Sequence, residues 1–309
     1  MKYTSGQFVI VLIIASLASI FLLFSKMDSR EDEGLTGEAK AIYPIKGGEA
    51  EIYHFSYRSN PRLYEMAYAG LENEDLIGEK VYGGITPHHF LASGLIAKFF
   101  KKLESQENIE TVILVGPNHF GAGFGEALVS LAFWDTPFGD LEPDTELIDV
   151  LLDDGLVEVD EEPFEGEHSI STSVPFIKKT FPSAKIVPVV LKEGADYETC
   201  RKIAEKLYAE SDGKILVIAS VDFSHNFSLE DAQKKDEESI LAIENFDFDN
   251  LSDVEIDSSA SIYMLLYFLQ LNGADNLIFS ERSNSALLGD SFHDDETVGY
   301  FIGHFGFSD

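Results

Sequence analysis

From about residue 80 onward, apolar runs alternate with segments whose apolar residues recur every three to four positions, and few folds accept that alternation. Val81–Thr86, Thr111–Val115, Lys185–Leu191 and Lys214–Ala219 are short runs of mostly apolar residues. Helical periodicity fills the intervals: Leu91, Leu95, Phe99 and Leu103 fall on one face of a helix expected over His89–Glu104. Strands buried on both faces and joined by helices build a parallel sheet with helices packed against each side. The sequence therefore predicts an α/β fold over residues 43–309, a single three-layer domain with a mostly parallel central sheet and flanking helices. Further helices are expected at Asp144–Leu152, Ser169–Phe181, Tyr197–Glu210, Leu229–Glu244 and Ser258–Leu271, with closing strands at Asn276–Ser280 and Thr297–Phe305. Glu51–Tyr57 is strand-like, and the rest of residues 43–79 fits no single element.

Three of the apolar runs are followed closely by a histidine: His88 and His89 in ITPHHF, His119 in GPNHF, and His225 in SVDFSH. His168, preceded by Glu167, opens a helical pattern in GEHSIS. Sites in open α/β sheets gather at the carboxyl ends of the strands. One histidine there is usually a packing or capping residue; the repetition points to a metal or acid/base site. Two histidines and one carboxylate suit Fe(II) with positions left open, and Cu or Zn accepts the same donors. His88 and His119, expected on neighbouring strands, supply the imidazoles. Asp257 in DVEIDSSAS supplies the carboxylate or else caps the helix that follows. Asp222, close to His225, either orients that imidazole as a general base or caps the next helix. His54, His293 and His304 read as structural or surface residues. Trp134, the one tryptophan, either walls a pocket or anchors its loop to the core.

Twenty-two basic residues against 55 acidic ones give a net charge of −33, which argues against an extended nucleic-acid footprint. The single cysteine, Cys200, excludes disulfides, zinc ribbons and iron–sulfur clusters built on this chain alone. GAGFGE is no phosphate loop, since it lacks the Gly-Lys-[Ser/Thr] ending, and no nucleophile elbow is present. Phe8 to Phe24 is uncharged and apolar, near the lower limit for spanning a bilayer. Residues 1–27 are thus expected to form a hydrophobic helix, either a membrane anchor that leaves the globular part outside the cytoplasm or a signal segment cleaved on secretion. Residues 28–42 read as a charged linker.

The order PHH, GPNH, WDTPFGDL, EHSI and VDFSH resembles the Memo-like family, also called AmmeMemoRadiSam system protein B, from about Gly83 to Phe305. That family is similar in fold to the class III extradiol ring-cleaving dioxygenases. The resemblance implies that His88 and His119 are the two metal histidines and that His225 is the acid/base residue, with Asp222 beside it. Where Memo proteins often carry a cysteine, this chain has Asp257, which moves the implied site toward the dioxygenase arrangement on Fe(II). His89 replaces a small residue beside the first histidine, and Glu167 and His168 are expected around the ligands. The implied function is a metal-binding protein, a non-haem Fe(II) oxidoreductase acting on a small molecule that the sequence does not name. The alternatives are a non-catalytic binding module of a multi-protein system and a zinc-dependent hydrolase. AMMECR-type and radical-SAM proteins are the implied partners.

Overall fold

Strands that are apolar along their whole length belong where a sheet is covered on both faces. The computed structural model describes residues 52–289 and 296–307, all within the unit Tyr43–Asp309. In chain order its strands are β1 (Tyr53–Phe55), β2 (Val81–Thr86), β3 (Thr111–Pro117), β4 (Ala127–Val129), β5 (Phe133–Asp135), β6 (Glu158–Val159), β7 (Lys185–Leu191), β8 (Ile215–Ser220), β9 (Asn276–Asn284) and β10 (Gly299–Gly306). The helices are α1 (Pro61–Ala67), α2 (Ser93–Lys102), α3 (Thr145–Asp153), α4 (His168–Ser171), α5 (Val174–Thr180), α6 (Tyr197–Glu210), α7 (Leu229–Glu244), α8 (Ser259–Asn272) and α9 (Ser285–Leu288).

Eight strands form one sheet in the order β6-β4-β7-β3-β8-β2-β10-β9, while β1 and β5 make a separate parallel pair. The centre, β7-β3-β8-β2, is wholly parallel; β4 and β10 run antiparallel to the strands they flank. The period-two alternation of β3 divides the core. Val112 and Leu114 pack with Phe99, Phe100, Phe176 and Ile177 of α2 and α5. Ile113 and Val115 pack with Ile203, Leu207, Leu265 and Leu269 of α6 and α8. Helices thus cover the sheet on both sides, as the alternating pattern predicts.

The order of the central strands decides where the site lies. The sequence reading made β2 and β3 neighbours; in the structure β8 lies between them. The chain leaves β2, passes through α2 and returns two positions away, and β8 later fills the vacant slot. The carboxyl ends of β3, β8 and β2 therefore stand side by side.

Several elements differ in detail. The expected helix at residue 89 starts as a 3-10 turn, Phe90–Ala92, before α2. The expected helix Ser169–Phe181 is two, α4 and α5, with Pro175 in the first turn of α5, where its missing N–H costs nothing. α1, which the sequence left undefined, is announced by the Asn60 cap and by Pro61. β9 runs on to Asn284, beyond the expected end at Ser280.

The expectation of a membrane-anchored chain with an N-terminal hydrophobic helix is corrected. Among the described residues no helix is long and apolar enough to cross a membrane. The stretch Phe8–Phe24, on which the expectation rested, lies outside them, as do the linker and His293.

Candidate metal centre

Each of the three adjacent strands ends in a turn that delivers one donor. β2 leads to His88, β3 to His119 and β8 to Asp222, and a fourth donor, Asp257, precedes α8. His88 is buried. Its Nδ1 is 3.2 Å from the carbonyl oxygen of Ser220. A carbonyl only accepts, so Nδ1 carries a proton and Nε2 faces the cluster. Nε2 lies 3.2 Å from Asp257 Oδ2 and 3.7 Å from Asp222 Oδ2. His119 is oriented the same way: its Nδ1 donates to Glu167 Oε1 at 2.7 Å, leaving Nε2 3.8 Å from Asp257 Oδ2.

The backbone ties these groups together. The His88 N–H donates to Asp222 Oδ1 at 3.1 Å, and the Asp222 N–H donates to Asp257 Oδ2 at 3.1 Å. The Asp257 N–H in turn donates to the carbonyl of Asp222 at 3.1 Å. The cap of α8 is Ser258, whose hydroxyl accepts from the Ser261 N–H. Asp257 is thereby left free to turn inward, and its Oδ1 is buried with no hydrogen-bond partner. Asp222 caps nothing either, because Ser228 caps α7.

The charges in this space are mismatched without a cation. Burial alone would lower the basicity of His88, but the carboxylates of Asp222 and Asp257 outweigh it and raise its pKa to about 9. Burial would raise the carboxyl of Glu167; bonds from the His119 ring, the Ser169 N–H and the His119 N–H outweigh that and hold it below the usual range. His168 goes the other way, pushed down to about 4 by burial and by repulsion from His88 and His119. Its ring stacks on His119, with centroids 4.2 Å apart, and meets His88 edge-on at 4.9 Å.

Ligand atoms of His88, Asp222 and Asp257 lie within 4.8 Å of one another, and so do those of His88, His119 and His168. Two facing carboxylates, imidazole nitrogens turned toward them and a buried unpartnered oxygen form a donor set that a divalent cation satisfies.

The sequence-predicted residues separate accordingly. His88, His119, Asp257, Asp222, Glu167 and His168 come together. Asp222, expected beside His225, faces His88 instead. His225, three residues further on, is half-buried and enters neither group of converging ligand atoms. His89 turns away, its Nδ1 2.5 Å from the hydroxyl of Tyr300. His54 pairs with Glu161 at 2.7 Å and packs on Trp134, which is fully buried and so an anchor rather than a pocket wall. Cys200 is buried in α6. The one role sequence reasoning missed is Asp222 as a cluster donor, and only the strand order could have revealed it.

Comparisons with known proteins point to one family. Residues 54–301 match the model of the family described as Memo-like protein. A MEMO1 family protein of Pyrobaculum aerophilum is 33% identical over 250 residues, 77% of this chain and 87% of its own length. One of Methanosarcina mazei is 30% identical over 259 residues, 77% and 94%. One of Methanococcus maripaludis is 38% identical over 168 residues, 51% and 58%.

Proposed function

The chain belongs to the Memo-like family, and from that membership we propose that it is a metal-binding protein working as a non-haem Fe(II) oxidoreductase on a small molecule. The observation that carries the proposal is the convergence of His88 Nε2 and His119 Nε2 on Asp257 Oδ2, with Asp222 Oδ2 3.7 Å from His88 Nε2 and the other oxygen of Asp257, Oδ1, buried without a partner. His88, His119 and Asp257 hold the ion, and Asp222 adds a second carboxylate. Bound Fe(II) supplies one-electron chemistry and leaves positions open for small ligands.

The chain's own residues set the conditions. Glu167 fixes the tautomer of His119, and the Ser220 carbonyl fixes that of His88, so both Nε2 atoms are directed without reorganisation. Donors fixed by buried backbone bonds keep the geometry that metal chemistry needs. His168 walls the centre as a neutral ring stacked on His119. The family resemblance gives the substrate's proton to His225, which lies on the loop that carries Asp222.

Oxygen uptake tests the reading. Anaerobically prepared protein is loaded with Fe(II), exposed to dioxygen with and without candidate reductants, and compared with Zn(II)-loaded protein and with His88→Ala. Uptake by the iron form alone supports an oxidoreductase. Stoichiometric iron with no uptake leaves a binding module, and hydrolysis by the zinc form instead points to a hydrolase.

A further inference from the structure

Three half-buried phenol rings stand in a row along the contact between α6 and α8, the first of them bonded to the start of α8, and the metal donors do not use it. Tyr197, in the first turn of α6, donates its hydroxyl to Ser259 Oγ at 3.0 Å. Ser259 stands two residues after Asp257, so at most about 7 Å of extended chain separates their Cα atoms. The Tyr197 ring stacks on Tyr263, with centroids 4.4 Å apart and planes 16° from parallel. Tyr263 aligns with Tyr267, one turn further along α8, at 6.1 Å and 10°. Tyr267 donates its hydroxyl to Glu205 Oε1 at 3.3 Å, and Arg201 Nη1 donates to the same oxygen. Phe248 covers Tyr263 and Tyr267 edge-on at 5.2 and 6.1 Å. Cys200 lies beside the row with its thiol pushed up to about 12, chiefly by burial, and keeps its proton.

Leucines would close the gap between two helices equally well. Near-parallel phenols that start beside a ligand's helix and end on a carboxylate add what packing does not require: adjacent π faces for an electron, and a base for the proton at the outer end. We propose that Tyr197, Tyr263 and Tyr267 form a one-electron relay between the metal centre and Glu205, through which oxidising equivalents raised at the centre by a peroxide-class oxidant reach the surface. This rests on the Fe(II) reading above.

The bookkeeping closes on one electron and one proton. Tyr267 loses an electron, which passes inward through Tyr263 and Tyr197 and reduces the oxidised centre by one electron. The phenolic O–H bond of Tyr267 breaks, its proton passes to Glu205, and a neutral tyrosyl radical remains. The peroxide takes two electrons from the centre and its O–O bond breaks to give two hydroxides; Tyr267 returns one of the two, so the centre ends oxidised by one electron.

The test is freeze-quench electron paramagnetic resonance on the full chain, loaded with Fe(II) under anaerobic conditions and mixed with hydrogen peroxide. Ring-deuterated tyrosine assigns the signal, and Tyr263→Phe, Tyr267→Phe and a remote control, Tyr82→Phe, are compared after equal iron content and thermal midpoint are established. The relay requires a tyrosyl signal in the wild type and in Tyr82→Phe, its loss in Tyr267→Phe, and its loss or displacement to Tyr197 in Tyr263→Phe. Full iron loading with no tyrosyl signal, or the same signal in Tyr263→Phe, overturns the relay and leaves the iron reading standing. Failure to bind iron overturns the iron reading and the relay with it.

Discussion

Replacing Glu167 by Gln preserves side-chain shape and removes one charge from a side chain whose two oxygens are both engaged. Glu167 is fully buried and accepts three hydrogen bonds: from the His119 ring at 2.7 Å, from the His119 N–H at 2.9 Å and from the Ser169 N–H at 2.9 Å. Its Oε1 takes two of these donors and Oε2 the third. A glutamine has one oxygen. Placed at Oε1, it keeps His119 Nδ1 and Ser169 but turns its amide hydrogens against the His119 N–H; the reverse orientation orphans two donors. The better arrangement leaves one buried N–H unpaired, a cost of about 1–3 kcal/mol in stability. The ring bond also loses its charge assistance, and with it part of the basicity of His119 Nε2. Partners behind a metal histidine typically account for about 10- to 100-fold in affinity. Glu167→Gln should therefore lower the midpoint of urea unfolding and weaken Zn(II) binding by about 10- to 100-fold, read by competition with a chromogenic chelator at pH 7.5. Binding within about twofold of wild type would refute the role given to this carboxylate.

Three further outcomes follow from the same geometry. His304 is buried, donates Nε2 to the carbonyl of Phe99 at 3.0 Å and has its pKa pushed down to about 3, chiefly by burial. The unfolded chain therefore takes up a proton near pH 6.5 that the folded one refuses, so stability present above pH 6.5 is lost as pH falls toward 3. That amounts to about 3 kcal/mol at pH 4.5, and His304→Gln should remove most of this slope in unfolding measured at both pH values. In Gly84→Ala the new methyl would sit 2.5 Å from the carbonyl oxygen of Gly303 and 2.6 Å from the Phe99 ring. Unfolding should show a loss of about 1–3 kcal/mol, with metal stoichiometry of the folded protein unchanged. Ser258→Ala should cost about 1 kcal/mol through the lost cap of α8 and retain the metal in a dialysis assay, since Ser258 is the cap and the proposed donor is Asp257.

The central strands were legible because β3, β7 and β8 are buried on both faces, which leaves mostly apolar residues at those positions. α6 and α7 were legible at both ends, because Asp196 and Ser228 stand as side-chain caps immediately before the first turn. Strand order was not written in any local pattern. Nothing between Thr86 and Thr111 says that β3 skips a place, yet that skip puts β8 next to β2 and so brings Asp222 to His88. Asp257 and Ser258 illustrate a second limit. Both residue types cap helices equally well, and only the fold decides that the serine turns to the Ser261 N–H and the aspartate to His88. The break between α4 and α5 was readable from Pro175, and α1 from Asn60-Pro61; local signals sufficed there. Trp134 could have gone either way until its ring was seen packed on His54 and Phe164.

The account rests on a carboxylate from the start of α8 joining two histidines from strand ends, and metal content measures that directly. The full chain is loaded with Fe(II) under anaerobic conditions, freed of excess metal and analysed by elemental emission beside His88→Ala and Asp257→Ala, each verified as folded by circular dichroism. One iron per chain in the wild type and a large loss in both variants is the expected result. Full iron in Asp257→Ala, with loss confined to His88→Ala, would contradict the assignment of Asp257.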